Sequence, residues 1–240
     1  MKKMIDLHMH IIPNVDDGSV SMEMSEQMLQ MALEQGIETV FATSHSRAYE
    51  EYAEYTGYQY RKLQKMIKEK QLPIKIYQGC EMLLDLRFTG RILQDLESKK
   101  IPSLNGTKYV LTELVYGWGL ESMHCLKIMC DKGFVPVIAH AERMYDLSMD
   151  AISELKTMGC KIQINVYSVA EEKNQITQKR ARLLLDKKLV DFVGSDAHRL
   201  EHRPPSVAKD IEYLYANYEE QYVDDILQNN ARKWIVEGME

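Results

Sequence analysis

The sequence has few cysteines and no long hydrophobic run, and both absences narrow its possible functions. Four cysteines occur among 240 residues, none of them in a Cys-x-x-Cys pair. This argues against a disulfide scaffold and favours a reducing, cytoplasmic environment. No stretch approaches the roughly 18 apolar residues that a membrane-spanning helix requires. Asp6, His8 and His10 interrupt the first apolar residues at once, so we expect no signal peptide.

Basic runs and nucleotide-binding motifs are also absent. The formal net charge is -6 and the pI about 5.7, which disfavours binding to nucleic acid. No GxGxxG or GxxxxGK[ST] motif is present, so nucleotide-binding folds are disfavoured. Hydrophobic residues make up 45% of the chain and no Pro-, Gly- or Ser-rich linker divides it. We therefore expect a single globular domain over residues 1–240.

Seven short β-rich runs alternate with longer amphipathic stretches. Each run ends in a polar residue, and the ends follow one another at intervals of 25 to 37 residues: 4–8, 38–45, 74–81, 108–113, 135–140, 161–165 and 190–198. Nearly continuous apolar runs are typical of parallel strands that are buried on both faces. The pattern predicts an α/β fold, either a closed or nearly closed (β/α) barrel or, alternatively, an open doubly wound sheet.

Three of the intervening segments have clear helix signals. Ser21 is a predicted N-cap, and Gly36 ends the apolar periodicity that follows it. The segment 148–159 ends in the same way at Gly159, and 174–188 is a further amphipathic helix.

Residues that can bind metal ions stand at six of the seven strand ends. Five of the seven histidines and three carboxylates are placed there: His8, His10, His45, Glu81, Glu113, His140, Asp196 and His198. In a (β/α) barrel the C-terminal strand ends converge on one mouth, where active sites lie. The sequence therefore predicts a metal centre at this mouth.

The spacing and chemistry of these residues suggest more than one ion. His8 and His10 are two residues apart, so on an extended chain both imidazoles face the same side. The same holds for Asp196 and His198. With Asp17 there are nine candidate ligands, too many for one ion, so we expect two or three. Imidazole and carboxylate ligands without thiolate suit Mn²⁺, Fe²⁺, Zn²⁺ or Co²⁺. Adjacent ions of this kind typically serve the hydrolysis of phosphate esters.

Two arginines follow the ligand segments closely. Arg143 comes three residues after His140, and Arg203 comes five residues after His198. A guanidinium binds a phosphate through two parallel hydrogen bonds, so both are candidate phosphate-binding residues. Arg47 is a weaker third candidate.

Six segments carry a resemblance to a known family. In chain order they are "DLHMH", "DDG", "ATSH", "GCE", "AHAER" and "GSDAHRLEHRPP", from residue 4 to about 205. They resemble the PHP (polymerase and histidinol phosphatase) superfamily. Within it the chain is most similar to the bacterial manganese-dependent protein-tyrosine phosphatases of capsular and exopolysaccharide biosynthesis, chiefly through "AHAER" and "RPP".

The resemblance implies a distorted, TIM-barrel-like seven-stranded (β/α) barrel with three Mn²⁺ ions at the C-terminal strand ends. Three ligand sets follow: His8, His10, Glu81 and Asp196; then Glu81, Glu113 and His140; then Asp17, His45 and His198. In the family the aspartate before glycine is the ligand, which favours Asp17 over Asp16. Arg143 and Arg203 match the arginines that bind the substrate phosphate, and His45 and His198 are counted with them as candidate catalytic residues.

The resemblance also implies a reaction and a partner. A metal-activated water attacks phosphorus without a covalent enzyme intermediate. The expected substrate is a phosphotyrosine protein in the cytoplasm, the tail of a bacterial tyrosine kinase that controls polysaccharide export. The alternative within the same metal chemistry is a phosphatase or phosphodiesterase for small molecules such as histidinol phosphate.

Two other classes fit less well. A cysteine-based phosphatase needs an arginine six residues after its cysteine, but Asp131 follows Cys125 at that distance. A non-catalytic binding module would be expected to have lost ligands, and none is missing. One surface question stays open, because five tyrosines within a helix-like segment either pack on the barrel or form an aromatic rim for a phosphotyrosine peptide: Tyr49, Tyr52, Tyr55, Tyr58 and Tyr60.

Overall fold

Parallel strands form the framework of the protein. The structure is a computed structural model that describes residues 2–114, 119–170 and 175–239. In these residues it has β1 (Met4–Met9), β2 (Ile37–Ala42), β3 (Lys75–Gln78), β4 (Met82–Leu84), β5 (Tyr109–Leu114), β6 (Val135–Ile138), β7 (Lys161–Asn165) and β8 (Phe192–Gly194). They form two sheets, of order β1-β2-β3 and β4-β5-β6-β7-β8, in which every pair is parallel. The predicted α/β fold is confirmed.

Helices occupy the connections between strands. They are α1 (Met22–Glu34), α2 (Ser46–Glu69), α3 (Thr89–Glu97), α4 (Leu120–Asp131), α5 (Met149–Thr157), α6 (Gln175–Asp186), α7 (Ala208–Asn217) and α8 (Glu220–Asp224), followed by π-helical turns at 225–229 and 232–236. Ser21 caps α1 by accepting a hydrogen bond from the Met24 amide, as predicted. Asn174, the first residue of the helix predicted over 174–188, lies outside the described residues. None of the described helices combines the length and hydropathy needed to cross a bilayer.

The closed seven-stranded barrel is not confirmed, because the described residues form eight strands in two sheets. The third predicted run, 74–81, is split: β3 ends at Gln78, and β4 begins at Met82 in the other sheet. The crossing passes Gly79, where a Cβ would lie 2.8 Å from Cδ2 of the buried Leu104. The chain therefore leaves one ladder and joins the next at a point where a side chain would be crowded.

Single bridges join the two sheets at two places. His45 pairs with Glu81 between β2 and β4, and Met9 pairs with Ala197 between β1 and the segment after β8. The Asp196 amide donates to the His8 carbonyl at 2.7 Å. Both seams lie at the carboxyl ends of the strands, where the candidate ligands stand.

Aromatic residues fill the opposite end of the molecule. Tyr109 and Phe192 are the first residues of β5 and β8, and both rings contact Trp234, with centroid distances of 6.4 and 5.7 Å. Buried polar residues are instead concentrated at the carboxyl ends of the strands, among them His8, His10, Glu81, His140 and Asp196. The fold is thus apolar at the amino ends of the strands and polar at their carboxyl ends.

Gly194 provides a test of the close approach of β8 to β1. A Cβ at this position would lie 2.6 Å from the Cβ of His8 and 3.1 Å from Nε2 of Gln163. Replacing Gly194 by Ala should therefore lower the free energy of unfolding by about 1–3 kcal/mol, the usual cost of overpacking, as measured by urea denaturation.

The matched control is Gly90→Ala, because an added Cβ in α3 meets nothing within 4 Å. It should leave the free energy of unfolding unchanged or raise it by up to about 1 kcal/mol. Equal stability of the two variants would contradict the described packing of β8 on β1.

Candidate functional site

The first group of candidate ligands lies where β1, β4 and β8 meet. Nε2 of His8 and Nε2 of His10 are 3.2 Å apart. Oε2 of Glu81 lies 3.4 and 3.2 Å from these two atoms, and Oδ1 of Asp196 lies 3.5 and 3.6 Å from them. All four side chains are buried. Ligands bonded at about 2.1 Å to one ion are separated by about 3.0–3.5 Å, so these four atoms are spaced like a coordination sphere.

The hydrogen bonds of the two imidazoles leave lone pairs that a cation can bind between the imidazoles and the carboxylates. Nδ1 of His10 lies 2.9 Å from Oδ2 of Asp16, and Nδ1 of His8 lies 3.4 Å from Oε1 of Gln163. Both partners are acceptors, so they favour protonation at Nδ1 and leave the two Nε2 lone pairs facing each other and the carboxylates. Burial lowers the pKa of His10, but Asp16 and Glu81 outweigh it and raise the pKa to about 10. The group therefore attracts positive charge, whether protons or a metal ion.

The "DDG" loop brings a second group together. Oδ1 of Asp17 lies 3.3 Å from Nε2 of His45 and 3.5 Å from Nε2 of His198. His198 donates from Nδ1 to the Asp196 carbonyl at 2.9 Å, which leaves its Nε2 for a ligand. Hydrogen bonds from His198 and His45 hold the pKa of Asp17 well below its usual range. A Cβ on Gly18 would lie 2.3 Å from the His10 carbonyl oxygen, so this turn requires glycine.

The two aspartates of the loop have different surroundings. Asp16 is nearly buried and accepts hydrogen bonds from the Gly18 and His45 amides as well as contacting His10. Asp17 is 59% exposed and faces the open side of the site. The structure therefore places Asp16 behind a candidate ligand and Asp17 among the candidate ligands.

The third group surrounds Glu81. Nε2 of His140 lies 2.8 Å from Oε1 of Glu81 and 3.7 Å from Oε1 of Glu113, while Nδ1 of His45 lies 3.0 Å from Oε2 of Glu81. Burial and the charge of Glu81 raise the pKa of Glu113. The buried Nδ1 of His140 has no hydrogen-bond partner among the described residues. Adjacent carboxylates with imidazole nitrogens beside them fit a cation site, so the donor set suits the divalent ions that the sequence predicts.

Both candidate phosphate-binding arginines converge on Asp196. Its Oδ2 atom lies 3.0 Å from Nη1 of Arg143 and 2.9 Å from Nη1 of Arg203, on the side away from the imidazoles. Nε of Arg203 is buried and has no hydrogen-bond partner within the part of the chain that the structure describes. A buried guanidinium nitrogen without a partner is costly, and an anion bound beside Asp196 would satisfy it.

Three site residues have left-handed backbone conformations. The φ angles of His140, Asp196 and Arg203 are 34°, 50° and 54°. Non-glycine residues adopt such angles only where their surroundings impose them, and such positions are concentrated at functional sites. His140 and Asp196 each stand two residues after a strand, β6 and β8, and Arg203 lies in the loop after β8.

Some predicted residues lie outside this cluster. Arg47 is 79% exposed and pairs with Glu51 on the same helix, so the structure does not bring it to the other two arginines. Burial raises the pKa of Cys80 well above its usual value, which excludes a ready thiolate nucleophile beside Glu81. Cys125 is buried within α4, which agrees with the rejection of a cysteine-based mechanism.

The five tyrosines of α2 are divided between two environments. Tyr49 and Tyr60 are buried, and their hydroxyls donate to the Gly79 and Ile76 carbonyls, so these two pack on the sheet. The others are 40 to 58% exposed: Tyr52, Tyr55 and Tyr58. The helix changes direction at Tyr52, where φ is -137°.

Several supporting residues were not predicted from the sequence. Oδ1 of Asp6 accepts hydrogen bonds from the Ser195 and His8 amides at 2.8 and 3.1 Å, and so fixes β1 against the loop that carries Asp196. Burial raises the pKa of Asp6 to about 6. A row on β7 and the turn after it also contacts the site: Gln163, Asn165 and Tyr167. Their alternation with Ile162, Ile164 and Val166 is the one sequence feature that indicates a polar strand face.

Known proteins share this fold and sequence over almost the whole chain. The family model described as capsular polysaccharide synthesis, CpsB/CapC, matches residues 4–236. The tyrosine-protein phosphatase CpsB of Streptococcus pneumoniae is 34% identical, and the alignment covers 98% of this chain and all of that protein. The tyrosine-protein phosphatase YwqE of Bacillus subtilis is 31% identical over 83% of this chain and 79% of its own length.

Solved structures agree with these relatives. A chain from the crystal structures of YwqE from Bacillus subtilis and CpsB from Streptococcus pneumoniae, described as unique metal-dependent tyrosine phosphatases, superimposes with a TM-score of 0.86 at 26% identity, covering 99% of this chain and 96% of that one. The histidinol phosphate phosphatase of Lactococcus lactis shares the fold, with a TM-score of 0.53 at 17% identity over 90% of this chain and 95% of its own. The family predicted from the motifs is confirmed, and the chain belongs to the CpsB/CapC family of capsular polysaccharide synthesis proteins.

Proposed function

We propose that this protein is a metal-dependent protein-tyrosine phosphatase. The observation that carries the proposal is the convergence of two kinds of group on Asp196. One carboxylate oxygen faces His8 and His10, and the other accepts from Arg143 and Arg203. A cation site and a phosphate-binding pair of arginines are thus held side by side, an arrangement suited to metal-dependent hydrolysis of a phosphate monoester. The relatives named tyrosine-protein phosphatase support the choice of substrate.

The residues that would hold the ions fall into the three groups described above. His8, His10, Glu81 and Asp196 would bind one ion; Glu81, Glu113 and His140 a second; and Asp17, His45 and His198 a third. When bound, such ions supply Lewis acidity and lower the pKa of water at neutral pH. We propose Mn²⁺ as the ion, following the resemblance of the motifs to manganese-dependent phosphatases; imidazole and carboxylate donors without thiolate suit it, and they suit Fe²⁺, Zn²⁺ and Co²⁺ as well.

The chain's own contribution is to bind and orient the phosphoryl group. Arg143 and Arg203 present N–H donors from one side, and their charge favours an anion. Asp16 and Gln163 keep the imidazoles of His10 and His8 oriented by binding their Nδ1 atoms. The positioned charges need no rearrangement when the phosphate enters, which lowers the cost of reaching the transition state.

The proposal extends to the partner and the scaffold. Its substrate is a phosphotyrosine protein in the cytoplasm, the tyrosine-rich tail of a bacterial tyrosine kinase that regulates polysaccharide export. One domain carries the activity, and the two sheets act as one distorted barrel because single bridges join them at two places beside the site.

Removal of the metal tests the core of the proposal. Chelation should abolish hydrolysis of a phosphotyrosine peptide, and added Mn²⁺ should restore it. The reason is that, without an ion, the ligand clusters consist of carboxylates and imidazole lone pairs that face one another. Release of phosphate is the measurement, with histidinol phosphate and a phosphodiester tested in parallel. Full activity in the thoroughly chelated protein would refute metal dependence, and preference for histidinol phosphate would refute the protein substrate.

Two substitutions separate phosphate binding from metal binding. Arg203→Ala should lower kcat/KM by about 10²- to 10³-fold, the usual effect of losing one transition-state donor, with an unchanged metal content. His140→Ala should lower both activity and metal content, since its imidazole faces two carboxylates.

The matched control is Arg232→Ala, an exposed arginine that donates to Gln228 in the C-terminal helical segment. It should change kcat/KM by less than about twofold. Loss of the metal in the Arg203 variant would mean that its role is structural and that the phosphate assignment is wrong.

A further inference from the structure

A row of polar side chains on β7 and the turn after it leads from the imidazoles to the arginines. Oε1 of Gln163 accepts from the His140 amide at 2.8 Å, and its Nε2 donates to Oδ1 of Asn165 at 3.0 Å. Nδ2 of Asn165 donates in turn to Oδ2 of Asp196 at 3.0 Å and to the hydroxyl of Tyr167 at 3.2 Å. Tyr167 is the last member of the row, in the 3₁₀ turn directly after the strand.

The hydroxyl of Tyr167 has both of its acceptor positions occupied. It accepts hydrogen bonds from Nη2 of Arg143 and from Nδ2 of Asn165. A phenol oxygen has two lone pairs and one proton, so the O–H is left to donate. Within 2–114, 119–170 and 175–239 no acceptor for this proton is found. Burial raises the pKa of Tyr167, so the proton is present at neutral pH.

Tyr167 is also accessible from a surface cavity that it shares with one of the two arginines. Its side chain is half-buried and, with Arg203, lines a surface cavity of about 1030 Å³. The guanidinium carbon of Arg143 lies 5.8 Å from the centre of its ring. The phenol thus contacts Arg143 and lines the same open cavity as Arg203.

We propose that Tyr167 contacts the substrate itself, donating a hydrogen bond from its hydroxyl to an oxygen of the phosphoryl group that Arg143 and Arg203 bind. This inference rests on the proposed phosphatase function and adds a neutral donor to the two charged ones. Arg143 and Asn165 fix the phenol oxygen from behind, so the O–H direction is set before the phosphate arrives. Phosphate then gains a third donor without reorganisation of the site.

Binding of inorganic phosphate to the Mn²⁺-loaded protein tests the inference apart from turnover. Tyr167→Phe removes one oxygen and keeps the ring, and it should weaken phosphate binding by about tenfold in calorimetry, the loss expected for one hydrogen bond to a charged group. Tyr213→Phe is the matched control, because an arginine, Arg182, likewise lies 4.5 Å from that ring. It should leave phosphate affinity unchanged. Unchanged affinity in Tyr167→Phe would overturn the inference.

A second comparison separates direct contact from the mere positioning of Arg143. If Tyr167 touches phosphate, Tyr167→Phe should still weaken binding in an Arg143→Ala background. If it only orients Arg143, the effect should vanish in that background, and this result would overturn the proposal. Metal content is counted in every variant, and a fall in Tyr167→Phe that accounts for the lost affinity would also overturn it.

Hydrolysis of a phosphotyrosine peptide distinguishes failure of this inference from failure of the proposed function. A wild-type protein that binds phosphate but leaves the peptide intact contradicts the proposed function, and the affinity comparison for Tyr167 still decides the inference. If the wild-type protein hydrolyses the peptide and the Tyr167→Phe variant binds phosphate with the same affinity as the wild type, the result contradicts the inference alone.

Discussion

Two buried carboxylates, Glu81 and Asp196, are the constraint on which the site depends. Each is about 1% exposed, and removing a carboxylate from water is costly unless positive charge and hydrogen bonds compensate. Burial alone would raise the pKa of Glu81, but the surrounding imidazoles, His8 first, hold it well below its usual value. Burial would likewise raise the pKa of Asp196, but the charges of His8 and Arg143 lower it below its usual value. Cations are therefore a condition for keeping these two residues ionised inside the protein.

The interruptions of the sheet are what allow this arrangement. Glu81 lies at the seam between β2 and β4, and Asp196 lies next to the seam between β1 and β8. At both places a single bridge replaces a continuous ladder, so the chain is free to turn its side chains inward. The left-handed φ angle of Asp196 is part of that turn. A regular closed barrel would not present these carboxylates in the same way.

Much of the framework could be predicted because it depends on local pattern. The apolar runs locate the strands within a few residues, and Ser21 and Ser148 cap the helices that follow them. The split of the run 74–81 could not be predicted, since continuous apolar sequence does not reveal where a strand changes its partner. The extent of β8 was overestimated for a similar reason: only Phe192–Gly194 of the run 190–198 pairs as a strand.

The site shows the same division between pattern and tertiary context. Imidazoles and carboxylates at strand ends are visible in the sequence because their chemistry is distinctive. Gln163 and Tyr167 carry no such signal, and their importance appears only when register places them against His8 and Arg143. The tyrosines of α2 illustrate the limit as well, since spacing alone did not separate the buried Tyr49 from the exposed Tyr52.

The most direct measurement is a crystal structure with Mn²⁺ and phosphate bound, using anomalous scattering to locate the ions. The account predicts an ion among His8, His10, Glu81 and Asp196, with phosphate oxygens held by Arg143 and Arg203 on its open side. Anomalous density only outside the ligand groups, or phosphate bound away from both arginines, would contradict the account.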